Sequence, residues 1–312
     1  MRKERMPDYE KKFTIAHDEA KGSCTIRFRC FDTPNIVTVY TGDWPDSVVE
    51  DLLIGLYREC LTFHFLWSFS LPESDVSRLN QPCGRIQVDE RTARLLVAMQ
   101  LFNMQEPSFD FTIGPVSYLW KHAEAVPSED EITEALSHVG ADKVELEGCT
   151  VVKRDPLVRI DVGGAAKGFV ADELARMVRE AGVKSADIDL GGNLYLVGRH
   201  PEDRPWRVAV RIPDGVKAEP VVLEVENCSV VTSGSYERFV EIGGKRYQHV
   251  IDARTGWPVE SDLVSATVVS PSSLQADLLA TTALMAGSSG IDALRARHPE
   301  CLFTVLRDTC SG

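Results

Sequence analysis

The sequence lacks the patterns typical of membrane, nucleic-acid-binding and disulfide-rich proteins. No apolar stretch is long enough to span a bilayer. The formal net charge is −13 at pH 7, so we expect no nucleic-acid partner. The eight cysteines form no C-x-x-C pair, which argues against a zinc site or a disulfide framework and favours reduced thiols. They are Cys24, Cys30, Cys60, Cys83, Cys149, Cys228, Cys301 and Cys310.

The amino-terminal segment is rich in charge and contains no apolar run of signal-peptide length. We therefore expect a cytoplasmic protein with no lipid anchor and no membrane span. A periplasmic location is expected only if an export signal has been removed from the chain. Residues 1–22 are predicted to form a polar tail, and residues 23–312 a single domain with two lobes.

The composition is that of an ordinary globular protein, 44% hydrophobic and 26% charged. Alternation of apolar and polar residues predicts two strands over 25–40, split at Thr33-Pro34-Asn35. Further strands are predicted over 157–162, over most of 186–269 and over 302–306.

Helical periodicity predicts a second group of elements, followed by a last helix near the carboxyl end. Because helices and strands gather in separate runs, an α+β fold is predicted. The predicted helices cover 46–65, 89–105, 128–139, 165–181 and 270–287.

One predicted helix carries an acidic residue on its apolar face. Asp277 and Thr281 are four residues apart and share a face, along which Leu274, Leu278 and Met285 also lie. An inward-pointing carboxylate needs a donor or a cation. Together with a hydroxyl one turn away, it can hold a hard divalent cation through oxygen. The alternative is a carboxylate bonded to a loop amide or an arginine.

A glycine-containing turn leads from the predicted strand 157–162 into a helix, through Asp161-Val162-Gly163-Gly164 to Lys167. Backbone N–H groups at a helix N-terminus suit a phosphate. Lys167 lies in the first turn, where the helix dipole disfavours a cation unless the side chain reaches an anion. The spacing matches neither a P-loop nor G-x-G-x-x-G. An anion site and a tight turn with a solvent-facing Lys167 both remain open, and Asp161 could bond a ligand or cap the helix.

Two other segments are weak signals when each is taken alone. Asp189-Leu190-Gly191-Gly192-Asn193 joins two apolar strands; a plain hairpin explains it, although its glycines would also allow close approach to a ligand. His249 follows a predicted strand and could act as a base near neutral pH. A packed or hydrogen-bonded histidine is the commoner role at such a position.

Taken together and in this order, these segments resemble the signature segments of the ApbE family, the FAD:protein FMN transferases. Residues 74–80 and 109–120 resemble the amino-terminal segments of that family, so the resemblance runs from about Phe28 to the end of the chain. The four signature segments are 160–168, 189–193, 249–256 and 276–281.

The resemblance implies an ApbE-like fold, with mixed or antiparallel sheets and flanking helices in two lobes around an FAD cleft. It implies that FAD is bound as a substrate. With Mg2+, the FMN half of FAD would be transferred to a threonine hydroxyl of an acceptor flavoprotein, and AMP would be released.

The resemblance also implies a role for particular residues. Asp277 and Thr281, with backbone oxygens of Gly164 and Ala280, would bind the metal. Asp277 would thereby be catalytic, and His249 would activate the incoming hydroxyl. The residues expected to contact FAD are Phe31, Phe109, Asp110, Asp161, Lys167 and Ile251.

Two other functions would use the same site. If water replaces the acceptor, the protein is an FAD pyrophosphatase that yields FMN and AMP. If no reaction occurs, it is a non-catalytic FAD-binding protein. AMP release without an acceptor would favour the first function, and tight FAD binding without turnover the second.

Overall fold

The computed structural model describes residues 12–213, 216, 218–236 and 239–307. The strands are β1 (Phe13–Asp18), β2 (Ser23–Cys30), β3 (Thr33–Tyr40), β4 (Arg85–Gln87), β5 (Val144–Glu147), β6 (Thr150–Lys153), β7 (Ser185–Leu190), β8 (Asn193–Val197), β9 (Trp206–Ala209), β10 (Val222–Val225), β11 (Cys228–Gly234), β12 (Phe239–Ile242), β13 (Lys245–Gln248), β14 (Leu263–Ser270) and β15 (Leu302–Arg307). The α-helices are α1 (Asp46–Leu66), α2 (Asp75–Leu79), α3 (Glu90–Gln105), α4 (Gly114–Lys121), α5 (Glu129–Ser137), α6 (Ala166–Glu180) and α7 (Ser273–Arg297). A short 3-10 helix spans Ala141–Lys143.

The largest sheet has eight strands in the order β1-β2-β3-β7-β8-β11-β14-β15. Every neighbouring pair in it is antiparallel. Helices α1, α6 and α7 pack on one face, where Ile26, Ile188 and Val268 of the strands meet Leu174 and Leu279 of the helices. Burying one face of an antiparallel sheet under helices in this way is typical of an α+β fold, which confirms the predicted fold class.

Two smaller apolar clusters lie among the described residues. On the outer face of the large sheet, the β9–β10 hairpin contributes Trp206 and Leu223 to a cluster with Leu196. A third cluster joins α4 and α5 to the β12–β13 hairpin, with Trp120 and Ile251 among its buried members. This third cluster holds the segment that follows β13.

Most predicted helices are confirmed, with small shifts at their ends. α5 begins with a capping box at Ser128, whose side chain accepts a hydrogen bond from Glu131 N while the Glu131 carboxylate accepts one from Ser128 N. α7 begins at Ser273, with Ser272 as its N-cap, rather than at residue 270. Gly287 interrupts it, as predicted, with φ 61° and ψ −179°, and a second helical stretch then runs to Arg297.

Three predictions of local structure are wrong. The polar tail over 1–22 is contradicted by β1, which pairs with β2 and packs Phe13 and Ile15 against the core; residues 1–11 lie outside the described residues. Residues 157–162 form no strand, only a single bridge between Arg159 and Ile113. The β2–β3 turn falls on Phe31 and Asp32, which have positive φ, and not on residues 33–35.

Other expectations concern what the chain does not contain. Within the described residues, none of the helices has both the length and the apolar character required to cross a membrane. Seven cysteines in that part of the chain are free thiols, as expected from their scattered positions; Cys310 lies outside it. The predicted division of residues 23–312 into two lobes around an FAD cleft stays a prediction.

Candidate active site

Helices α6 and α7 touch backbone to backbone near their N-termini. A Cβ placed on Gly168 would lie 2.5 Å from the carbonyl oxygen of Ser273 and 2.7 Å from the Cα of Leu274. Gly168 N donates to Asp277 Oδ2 at 2.9 Å, and the Asp277 side chain is buried. Ala165, the N-cap of α6, has no side-chain acceptor, so Asp277 serves as a cap supplied by the other helix. This bond agrees in part with the alternative to a metal ligand, in which the Asp277 carboxylate is bonded to an amide.

Thr281 lies one turn beyond Asp277 and faces the glycine turn. Its Oγ1 would be 3.6 Å from a Cβ on Gly164, and Phe109 Cε2 would be 3.4 Å from the same Cβ. The hydroxyl also donates to Asp277 O at 3.3 Å and lies 3.5 Å from Ser233 Oγ. A side chain at Gly164 would therefore fill the space beside the Thr281 hydroxyl. Ser233, on β11, was missed because it carries no local motif.

The turn that contains Asp161 is held by side chains from distant elements. Asp161 accepts hydrogen bonds from Ser117 Oγ at 3.1 Å and from Gly163 N at 2.8 Å. The Asn80 carboxamide bonds both backbone groups of Ile160, at 2.6 and 3.0 Å. These side-chain bonds replace a neighbouring strand, which is why 157–162 is not part of a sheet. Asn80 ends the segment 74–80, which resembles an amino-terminal segment of the family, but the sequence predicts no role for it.

Lys167 connects the glycine turn to the segment 189–193. Its Nζ donates to the carbonyl oxygen of Gly191 at 3.5 Å. Gly191 has φ +63°, and a Cβ there would come within 2.6 Å of the Thr33 side chain, so both its conformation and its surroundings require glycine. Thr33 follows the turn at Phe31, whose N–H donates to His64 Nδ1 at 3.3 Å. Burial lowers the pKa of His64, which favours the neutral ring that can accept this bond.

Phe109 and Asp110 lie in the loop between α3 and α4. The Phe109 ring is buried and meets Phe102 edge to face, with the ring centroids 5.5 Å apart. Asp110 Oδ1 accepts from Thr112 N at 2.8 Å and from Thr112 Oγ1 at 2.6 Å. Asp110 therefore shapes the loop that places Phe109 beside Gly164.

Helix α4 ties the segment after β13 to the Asp161 turn. One turn beyond Ser117, Trp120 Nε1 donates to the carbonyl oxygen of Gly256 at 2.8 Å. Ile251 is buried in the third cluster, whereas His249 is exposed. Ile251 thus packs against α4 and α5, and the predicted contact with FAD stays a prediction. The sequence predicts His249 just past a strand, and it lies just past β13. The sequence does not predict the hydrogen bond from Trp120 to Gly256, which holds the segment that contains His249.

The donors at the α6–α7 contact fit a hard cation. They are one carboxylate, from Asp277, and one hydroxyl, from Thr281, which faces Gly164. Oxygen donors of this kind suit Mg2+. Among the residues that the structure describes, no group of three or more His, Cys, Asp and Glu side chains could hold a metal ion, so a site rich in nitrogen, sulfur or carboxylates is not present there.

Comparison with known proteins shows which family this chain resembles. The model of the ApbE family matches residues 32–303. The chain is 31% identical over 277 residues to an FAD:protein FMN transferase of Klebsiella pneumoniae, covering 85% of this chain and 84% of that protein. It is 30% identical over 250 residues to one of Haemophilus influenzae, covering 75% and 72%.

The fold agrees with that of a solved structure as well. The flavin transferase ApbE from Vibrio cholerae superimposes with a TM-score of 0.82 at 24% identity, over 93% of this chain and 95% of that one. At 24% identity the superposition shows only that the fold is the same. The family model and the curated relatives show that the chain is a member of the family. The chain belongs to the ApbE family.

Proposed function

We propose that this protein is an Mg2+-dependent FAD:protein FMN transferase, which moves the FMN half of FAD onto a threonine hydroxyl of an acceptor flavoprotein and releases AMP. The observation that carries the proposal is the contact between the glycine turn 163–168 and the first turns of α7. There the Asp277 carboxylate bonds Gly168 N, and the Thr281 hydroxyl faces Gly164. Two relatives that are 30% and 31% identical to this chain over the aligned residues have the name of this activity.

Asp277 and Thr281, with the backbone oxygens of Gly164 and Ala280, would hold Mg2+. Mg2+ would neutralise charge on the FAD diphosphate and on the departing AMP. Asp277 is already oriented by its bond to Gly168 N, and Gly164 leaves the side of the Thr281 hydroxyl open. The protein would therefore contribute a pair of oxygen ligands from one helix, oriented before the metal binds.

The remaining residues would bind and orient FAD. The N-terminus of α6 and Lys167 supply local positive charge, which a chain of net charge −13 must provide at any anion site. Asp161, held by Ser117 and Gly163, would accept hydrogen bonds from the nucleotide. Phe31, Phe109, Asp110 and Ile251 would line the flavin site. These assignments rest on the family motifs and on the position of each residue.

His249 would act as the base. In the transfer, the threonine oxygen forms a bond to the phosphorus of the FMN half, the bond from that phosphorus to the AMP phosphate breaks, and the threonine proton goes to His249. His249 is exposed and follows β13, where the hydroxyl of an incoming protein can approach. Its segment is tied to α4 by the Trp120–Gly256 hydrogen bond.

The test is to incubate the full chain with FAD, MgCl2 and the acceptor protein of the Haemophilus influenzae relative. Mass spectrometry should show an acceptor heavier by one FMN, with one AMP released per adduct. The same acceptor with its target threonine replaced by alanine should stay unmodified. Absence of the adduct would contradict the transferase. AMP release without any acceptor would instead support the FAD pyrophosphatase, and FAD binding without AMP release the non-catalytic protein.

A further inference from the structure

Helices α6 and α7 cap each other in a reciprocal way. On α6, Gly168 and Asp172 are four residues apart; on α7, Ser273 and Asp277 have the same spacing. Gly168 N donates to Asp277 Oδ2 at 2.9 Å, and Ser273 N donates to Asp172 Oδ1 at 2.7 Å. Each helix therefore offers an amide from its first turn and, one turn later, a carboxylate to the first turn of its neighbour.

Asp172 holds the start of α7 through three hydrogen bonds. Besides Ser273 N, it accepts from Leu274 N at 3.0 Å and from Ser272 Oγ at 2.8 Å. Amides in the first turn have no partner within their own helix, and the positive end of the helix dipole favours a carboxylate there. The three donors thus fix both the position and the direction of the first turn of α7.

The position of the first helical turn of α7 determines where the metal ligands Asp277 and Thr281 lie. The contact at Gly168 leaves no room between the two helix starts, since a Cβ there would lie 2.8 Å from Asp277 Cβ. A small shift of α7 would therefore displace Asp277, one turn further on, and Thr281, two turns further on. Asp172 bonds the first turn of α7, so its effect on Asp277 and Thr281 would pass through the helix.

We propose that Asp172 is a positioning residue for the metal site: by capping α7 from α6, it keeps Asp277 and Thr281 in place against the glycine turn 163–168. The inference rests on the metal site of the proposed function. Groups that orient metal ligands from outside typically contribute 10–100-fold to metal affinity. Asp172→Asn keeps the shape of the side chain but offers one acceptor oxygen, with an NH2 group turned toward the backbone donors.

A matched control exists on the same helix. After the break at Gly287, the second stretch of α7 is capped by another remote carboxylate, since Ser288 N donates to Asp262 Oδ1 at 2.8 Å. Asp262→Asn removes the negative charge of this cap at a point beyond both metal ligands, while its amide oxygen can still accept from Ser288 N. It should leave Asp277 and Thr281 in place and lower the melting temperature only slightly.

The experiment measures binding of Mn2+, added alone as a probe for Mg2+, by electron paramagnetic resonance on the full chain without turnover. Wild type, Asp172→Asn, Asp262→Asn and Asp277→Ala are compared, with melting temperatures from circular dichroism. We expect Mn2+ binding to be about tenfold weaker in Asp172→Asn, unchanged in Asp262→Asn and lost in Asp277→Ala. In the transfer assay, Asp172→Asn should need about tenfold more Mg2+ for half-maximal rate and recover most of kcat at saturation.

Two results would overturn the inference: unchanged Mn2+ binding in Asp172→Asn, or equal losses in Asp172→Asn and Asp262→Asn. Failure of the proposed function would give different results. The wild type itself would then bind no Mn2+, or Asp277→Ala would bind it normally. Either of these two outcomes overturns the metal site and, with it, the role of Asp172. If Asp172→Asn does not fold, Ser272→Ala removes one of the three hydrogen bonds and should give a smaller loss of Mn2+ affinity. Unchanged affinity in that variant would count against the inference.

Discussion

The two parts of the candidate active site are held in different ways. In the α6–α7 part, backbone touches backbone at Gly168, and Asp277, with 5% of its surface exposed, bonds an amide of the neighbouring helix. In the hairpin part, residues 249–256, the contacts with the helices include one indole hydrogen bond from Trp120, the packing of Ile251 and the close approach of Gly256 to the side chains of Ile132 and Leu136 on α5. His249 is exposed in this second part.

This difference matches what each part does in the proposed reaction. A metal and a diphosphate require ligands that are in place before binding, because every movement of a ligand weakens the site. The hydroxyl of an acceptor protein has to approach from solvent, so the base that meets it must be at the surface. The α6–α7 part would thus bind FAD and Mg2+, and the hairpin part would receive the acceptor protein.

The largest effect is expected from Asp277→Ala, in the α6–α7 part. The variant removes a metal ligand and also leaves Gly168 N without its acceptor. FMN transfer should fall at least about 100-fold, because loss of an outer partner alone costs 10–100-fold. The transfer assay at several Mg2+ concentrations checks this. Asp262→Ala, which removes the remote cap of the second stretch of α7, should keep the wild-type rate; a similar rate in Asp277→Ala would show that the α6–α7 part takes no part in the reaction.

Gly168→Ala should have the next largest effect. Its Cβ would meet the Ser273 carbonyl oxygen at 2.5 Å and Leu274 Cα at 2.7 Å, and backbone atoms cannot rotate away. Overpacking of this kind costs about 1–3 kcal/mol of unfolding free energy, measured by urea denaturation.

The matched control for this substitution is Gly55→Ala, inside α1. No atom lies within 4 Å of its Cβ position, so alanine should raise the unfolding free energy by about 0.5–1 kcal/mol. If Gly168→Ala also stabilised the protein, the two helices would not be in the close contact that distinguishes the α6–α7 part.

Trp120→Phe tests the hairpin part. Phenylalanine keeps an aromatic ring near Tyr247 and Trp257, 5.1 and 5.3 Å away between centroids, but it cannot donate to Gly256 O. The unfolding free energy should fall by about 1 kcal/mol. The rate of FMN transfer should fall while Mn2+ affinity stays at the wild-type value. Trp257→Phe, which keeps the Trp120–Gly256 bond, is the control; a change of Mn2+ affinity in Trp120→Phe would show that the two parts are coupled.

The α6–α7 part was accessible to prediction from the sequence because its signals are local. Asp277 and Thr281 lie at helical spacing, and Gly163 and Gly164 lie directly before a helix, so a single element displays each pattern. The residues that were missed have partners far away in sequence. Asp172 bonds residues 100–102 positions away, and Asn80 bonds a residue 80 positions away.

Two of the wrong predictions, the strand over 157–162 and the polar tail in place of β1, have the same cause. Residues 157–162 have the composition of a strand, but the Asn80 side chain and the carbonyl group of Phe111 take up their backbone groups. β1 was missed because charged residues precede it, whereas its pairing with β2 decides its structure. Local pattern predicts an element only where distant side chains or strands do not compete for its backbone.

The smallest effect is expected from Arg254→Gln, at the tip of the hairpin part. Arg254 donates to both carboxylate oxygens of Asp252, at 3.0 and 2.7 Å. These hydrogen bonds hold the pKa of Asp252 below its ordinary value of 3.8. A lowered carboxyl pKa stabilises the folded state at pH values above the ordinary pKa, and the contribution disappears as the pH falls through the folded-state value.

Because the Arg254 side chain is exposed, the ion pair should contribute only about 0.5 kcal/mol at pH 7. Urea denaturation of wild type and Arg254→Gln should show that difference at pH 7 and its disappearance below about pH 4. Arg246→Gln, which removes a looser pair with Glu241 at 3.7 Å, is the matched surface control. A loss of several kcal/mol in Arg254→Gln, or one that persists in acid, would mean that the hairpin is held as firmly as the α6–α7 part, and the contrast between the two would no longer hold.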